Sequence, residues 1–100
     1  MKYDFPTHEK GDTFNGVQFE LLINGVEKDL TDVIINMTVN KKVFSTVTGE
    51  LLITDALLGK FQFKKQIVTM PPKNYNYEIV FIFPNGDVKT YIEGTWKITL

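Results

Sequence analysis

The feature that most constrains this chain is an Asn-Gly pair, Asn85-Gly86, set between two alternating apolar runs. Both residues tolerate positive φ, so the pair is the strongest short signal for a β-hairpin. A two-residue loop at Asn85-Gly86 and a four-residue loop from Pro84 to Asp87 both pair Phe83 with Val88. The register then sets Phe81 opposite Thr90 and Ile79 opposite Ile92. Side chains alternate along a strand. One face therefore carries Tyr77, Ile79, Phe81 and Phe83 with Val88, Thr90, Ile92, Gly94, Trp96 and Ile98. It is almost wholly apolar and is read as the core face. Pro84 falls at the strand end, where its missing N–H costs least.

The opposite face of the hairpin is also partly apolar. Val80, Ile82 and Tyr91 cluster there beside Glu78, Lys89 and Glu93. A strand apolar on both sides is usually covered on both sides. The cover is either another segment of the same chain or a partner subunit.

Upstream, the chain reads as short strands separated by turn residues. Met1 to Phe5 forms an edge strand with Tyr3 and Phe5 on one side, ended by Pro6. Thr7 to Asn15 is polar and turn-rich. Gly16 to Ile23 alternates, with Val17, Phe19, Leu21 and Ile23 on one face and Leu22 on the other. Asn24-Gly25 is a second hairpin signal, returning through a short, charged Val26–Leu30. Val33 to Val39 is a strand with Val33, Ile35, Met37 and Val39 inward and Ile34 outward. Strands over 43–48, 51–54 and 60–69 follow, the last stopped by Pro71-Pro72. About eight short strands at even spacing, with no sustained helical period, predict an all-β sandwich or barrel.

A length of 100 residues makes one domain, 1–100, with residues 1–15 as an N-terminal arm or edge strand packing in cis or in trans. Thirteen aromatics, eight of them Phe, favour sheet. The net charge is −1 and every basic residue is Lys, so nucleic acid finds neither a field nor the bidentate Arg contacts it favours. No apolar run reaches membrane-spanning length, and the N-terminus lacks the apolar core of a signal peptide. With no Cys, disulfides and thiolate chemistry are excluded. These features predict a protein made and assembled in the cytoplasm.

Catalytic chemistry finds little footing. There is one His, His8, and one Ser, Ser45, with no third group to orient them. No Gly-rich phosphate loop occurs. Asp4, His8, Glu9 and Asp12 are the densest set of conceivable metal ligands, but they lack the alternating-ligand spacing of a calcium loop. The expectation is no enzyme, no metal and no cofactor. Tyr75, Tyr77, Tyr91 and Trp96 are the material for a sugar-stacking platform, although alternation sends Tyr77 and Trp96 inward and leaves only Tyr91 outside.

Several phrases recur in a familiar order. They are Lys10-Gly11-Asp12-Thr13-Phe14, Asp29-Leu30-Thr31, Gly49 with Ile53-Thr54-Asp55-Ala56, Gly59-Lys60-Phe61 and Tyr75-Asn76-Tyr77, closing with residues 90–99, TYIEGTWKIT. Together they resemble small tailed-phage and prophage virion proteins, including the N-terminal domain of the baseplate upper protein family. The resemblance implies an immunoglobulin-like antiparallel β-sandwich of about seven or eight strands. It further implies an attachment module of tail, baseplate, neck or head, docking on other virion proteins and on copies of itself. The expected location is the virion, assembled in the bacterial cytoplasm. That family carries further segments after this domain, whereas this chain ends at Leu100, so receptor-binding organisation is not carried over. The expected interface residues are Val80, Ile82 and Tyr91, with Ile34 and Leu22 beside them and Tyr3 and Phe5 as anchors of the arm. The competing reading is a carbohydrate-binding module that adheres to a host surface glycan.

Overall fold

Alternation of apolar and polar residues runs longest after Pro71-Pro72, and the two longest strands form there. In the computed structural model, which describes residues 1–100, the chain forms twelve strands and no helix. They are β1 (His8–Glu9), β2 (Thr13–Phe14), β3 (Val17–Glu20), β4 (Leu22–Ile23), β5 (Val26–Glu27) and β6 (Ile34–Val39). Then come β7 (Lys42–Ser45), β8 (Leu51–Asp55), β9 (Lys60–Phe63), β10 (Gln66–Ile67), β11 (Lys73–Ile82) and β12 (Val88–Thr99). The expected strand over 60–69 is thus broken into β9 and β10, and the early polar stretch contributes β1 and β2.

A five-stranded sheet has the order β1-β12-β11-β6-β7, and a three-stranded sheet the order β3-β9-β8. Two small pairs, β10-β2 and β4-β5, complete the molecule. The two larger sheets meet through aromatic side chains. Phe61 of β9 lies 5.5 Å from Phe81 of β11, and Phe63 lies 5.7 Å from Trp96 of β12. Around them a core cluster of 22 buried residues forms. Every second residue of β11 from Tyr75 to Phe81 points into it.

The β11–β12 register is only partly the expected one. Ile79 faces Ile92 as anticipated, but Phe81 faces Lys89 and Ile82 faces Val88, with a bulge in between. The cause lies in the turn. Gly86 N–H donates to the Phe83 carbonyl at 2.9 Å, and Phe83 N–H donates to the Asp87 carbonyl at 2.9 Å. Gly86 takes φ of 92° while Asn85 is not among the positive-φ residues. This is a type I turn with Pro84 at its second position, followed by a left-handed glycine, giving a three-residue loop. An odd loop shifts the register by one. Ile92, Trp96 and Ile98 must still face the core, so the strand restores the register by carrying one extra residue at Tyr91.

The N-terminal segment packs in cis along the free edge of β12. Lys2 bridges Glu93 in parallel, and β1 pairs His8 with Ile98. Tyr3 N–H donates to the Glu93 carbonyl and Phe5 N–H to the Thr95 carbonyl, both at 2.9 Å. Between these contacts the Asp4 carboxylate accepts from the Thr95 N–H at 3.0 Å and from its hydroxyl at 3.1 Å. The strap lies so close to β12 that only glycine fits beneath it. A Cβ on Gly94 would stand 1.8 Å from the Tyr3 carbonyl oxygen. The Tyr77 hydroxyl donates to that same carbonyl. Phe5 then drops into the core, 4.9 Å from Trp96 and 4.9 Å from Tyr77.

Candidate functional site

The outer face of the five-stranded sheet carries three of the expected interface residues, Ile34, Val80 and Ile82. Directly paired residues share a face. Ile82 pairs with Ile34 on one side and Val88 on the other. Val80, two residues along β11, stands on the same side between Asn36 and Thr90. Three strands thus bring Ile34, Val80, Ile82 and Val88 to one end of the face. None belongs to the core or packs against it. Val88 is 60% exposed and Ile34 39% exposed, while Val80 and Ile82 are half-buried.

The other end of the face is polar and slightly hollow. A shallow cleft of about 480 Å³ lies among Lys2, Thr38, Asn76, Glu78, Glu93 and Thr95. Glu78 stands directly opposite Glu93. Like charges placed so disfavour each other, and the lysine of the strap, Lys2, pairs in register with Glu93. Going from the apolar end to the polar end takes only two residues along β11, from Val80 to Glu78, and two along β6, from Asn36 to Thr38.

Tyr91 is a correction. Strict alternation puts it outside with Val80 and Ile82, but the bulge turns it inward. It lies 5.6 Å from Phe81 and 6.4 Å from Phe83, against the core. By the same shift Val88 and Thr90 leave the core face for the outer one. Phe5, an expected arm anchor, is 6% exposed and is a core residue of its own chain. Tyr3 is half-buried, edge-on to Phe5 at 5.2 Å and to Phe19 at 5.5 Å. Leu22 is exposed, but on the separate β4–β5 hairpin. Val88 was legible only through the turn, because Pro-Asn-Gly admits the odd loop that the two-residue reading passes over.

The remaining candidate groups are dispersed. The His8 ring Nε2 lies 2.9 Å from the Asp12 carbonyl, and the Ser45 hydroxyl accepts the Val47 N–H at 3.1 Å. No three His, Asp or Glu side chains gather as metal ligands. No aromatic side chain is exposed. Tyr75, Tyr77 and Trp96 are all buried, and Tyr91 is turned to the core. Two carboxyls sit below their ordinary range through turn hydrogen bonds. Asp29 is lowered by the Thr31 hydroxyl at 2.6 Å and N–H at 2.9 Å. Glu50 is lowered by the Thr48 hydroxyl and by the Ser45 N–H at 3.2 Å. Both brace connections between strands. Burial pushes the Tyr77 phenol well above its ordinary value.

No protein-family model matches the chain, and no curated protein matches it in sequence.

Proposed function

We propose that this chain is an immunoglobulin-like β-sandwich that serves as a bacteriophage virion structural protein. It acts as an adaptor in tail, baseplate, neck or head and docks on other virion proteins in multiple copies. The observation that carries the docking reading is the apolar row Ile34–Ile82–Val88, with Val80 beside it, on the outer face of a sheet whose inner face is already satisfied. An apolar cluster bordered by polar residues suits a protein interface. Burying it yields about 25 cal/mol per Å² of apolar area removed from water. The polar cleft beside it supplies the hydrogen-bonding rim such an interface uses. The virion assignment itself rests on the ordered phrases between Lys10 and Thr99 and on their resemblance to phage attachment modules.

The absence of any exposed aromatic side chain weighs against the glycan-binding alternative, since sugar rings stack on exposed aromatic faces.

Two measurements test the proposal. Mass spectrometry of purified phage particles should count this chain at a fixed ratio to the major capsid protein; its absence from particles would remove the virion role. Ile82→Asp and Val88→Asp should then leave the monomer folded by circular dichroism but abolish incorporation. Incorporation of both variants at the normal copy number would remove this face as the docking surface.

A further inference from the structure

Three Asn-Gly pairs occur in the chain: Asn15-Gly16, Asn24-Gly25 and Asn85-Gly86. The pair has a chemistry of its own. The glycine nitrogen attacks the asparagine side-chain carbonyl carbon, unhindered by a Cβ. A carbon–nitrogen bond forms, ammonia leaves, and a five-membered succinimide results. Water then opens the ring at either carbonyl, giving aspartate or isoaspartate. The balance is one water consumed, one ammonia released and one new carboxylate, with no oxidant or cofactor. Two local conditions govern it in a folded protein: the attacking nitrogen and the amide must be free, and the backbone must be able to rotate into the attack geometry.

We propose that Asn24 is a site of spontaneous deamidation in the folded protein and that Asn15 and Asn85 are protected by their surroundings. At Asn85 both partners are engaged. The Gly86 N–H donates to the Phe83 carbonyl at 2.9 Å. The Asn85 side-chain oxygen accepts the Asp87 N–H at 2.9 Å, and its amide nitrogen donates to the Asp87 carboxylate at 3.2 Å. This turn also closes the longest ribbon in the molecule. At Asn15 the glycine is clamped instead: a Cβ on Gly16 would stand 2.9 Å from the Phe63 carbonyl oxygen, so the backbones are in contact. The strands on either side, β2 and β3, are held by β10 and β9.

Asn24 has none of these restraints. It is exposed, as is Gly25, and neither its side chain nor the Gly25 N–H makes a hydrogen bond. Both residues have positive φ, 53° and 78°, as a type I′ turn requires. The turn closes only two residue pairs, Ile23 with Val26 and Leu22 with Glu27. A hairpin that short opens at little cost, and local opening supplies the rotations the attack needs. Conversion adds a negative charge at the hairpin tip, three residues from Glu27, and the isoaspartate product lengthens the turn backbone.

The test uses the full native chain in warm, mildly alkaline buffer. Cleavage after glutamate puts Asn15, Asn24 and Asn85 on separate peptides, because Glu20, Glu27 and Glu78 lie between them. Each is then scored by the mass gain of amide-to-acid conversion. Asn24 should convert about tenfold or more faster than either other site, the ratio for an opening roughly 1.4 kcal/mol less costly. In urea the three rates should converge. Native conversion of Asn85 or Asn15 as fast as Asn24 would overturn the proposal. So would an Asn24 that stays amide in the native protein while the urea-treated chain converts.

Discussion

Two hairpins of this protein close on the same dipeptide and share almost nothing else. The β4–β5 hairpin at Asn24-Gly25 has two residue pairs and exposed side chains at Leu22 and Val26. The β11–β12 hairpin at Asn85-Gly86 has ten pairs and contributes Tyr75, Tyr77, Ile79, Phe81, Ile92, Trp96 and Ile98 to the core. Even the turns differ. The first is type I′, with both residues left-handed. The second is type I, with the glycine alone left-handed, because Pro84 holds the φ that its second position needs. The dipeptide reverses the chain; the neighbours choose the turn, and the apolar alternation of the strands decides how much stability hangs on it.

Truncating the long ribbon should therefore have the largest effect. Trp96 is fully buried and lies 4.9 Å from Phe5 and 5.3 Å from Phe14. Trp96→Ala should cost about 3–5 kcal/mol in urea unfolding, through lost burial and the cavity left behind. Val26→Ala in the short hairpin, at a residue 63% exposed, should stay within about 0.5 kcal/mol. Equal effects at the two positions would erase the distinction between the hairpins.

Next in size is Gly94→Ala, which tests what the ribbon edge is holding. The added Cβ would meet a backbone carbonyl, that of Tyr3, which cannot move without lifting the strap. Overpacking of this kind costs about 1–3 kcal/mol. Hydrogen exchange should report the mechanism: the Glu93 amide, bonded to the Met1 carbonyl at 3.0 Å, and the Thr95 amide, bonded to Asp4, should lose protection. Protection unchanged at both would mean that the strap adapts without leaving β12.

These outcomes bear on what a sequence of this kind discloses. The inward residues of β6 and β11 were legible because alternation is unbroken there, as Ile35, Met37 and Val39 show. The Asn24-Gly25 turn was legible because nothing beside it competes. The far half of β12 was legible too, since Ile92, Trp96 and Ile98 anchor it. The near half was not. A loop of odd length shifts the register and a bulge at Tyr91 undoes the shift, so only Val88, Lys89, Thr90 and Tyr91 change sides. Of the outer face, Ile34, Val80 and Ile82 could be read from alternation, whereas Val88 could not. The strap was legible as an arm or edge strand with Tyr3 and Phe5 on one side, but where it lands was not, for another reason. Its contacts join residues at opposite ends of the chain, such as Tyr3 with Tyr77 and Asp4 with Thr95, and no local pattern encodes them.

The strap contact also has a pH signature. Burial raises the Tyr77 phenol above its ordinary value, so the folded state disfavours the phenolate. An unfolded tyrosine ionises near about pH 10. Above that pH the unfolded chain has released this proton while the folded chain retains it. Stability is therefore full below about pH 10 and falls above it, by about 1.4 kcal/mol per pH unit, until the folded group itself ionises. Tyr77→Phe should lose about 1 kcal/mol at neutral pH with the hydrogen bond to Tyr3, and should show a shallower alkaline decline. An unchanged alkaline slope would mean that other groups govern it.

The finest test returns to the two turns. Gly25 and Gly86 have positive φ of 78° and 92°, and at neither would an added methyl group meet an atom within 4 Å. Gly→Ala at each therefore adds conformational strain and little else, on the order of 1–2 kcal/mol. How much of that reaches global stability depends on whether the strain can be shed. The short hairpin can open its two residue pairs and relax, so Gly25→Ala should lower the unfolding free energy by only a few tenths of a kcal/mol, about the effect of an ordinary surface change. The long ribbon cannot relax without unpairing residues next to Phe81, so Gly86→Ala should register most of its strain, about 1 kcal/mol. Both variants place alanine at a left-handed glycine with open space around it, so the strands behind each turn decide how much of the strain registers. A larger loss for Gly25→Ala than for Gly86→Ala would show that the small hairpin braces the core more firmly than its exposed residues suggest.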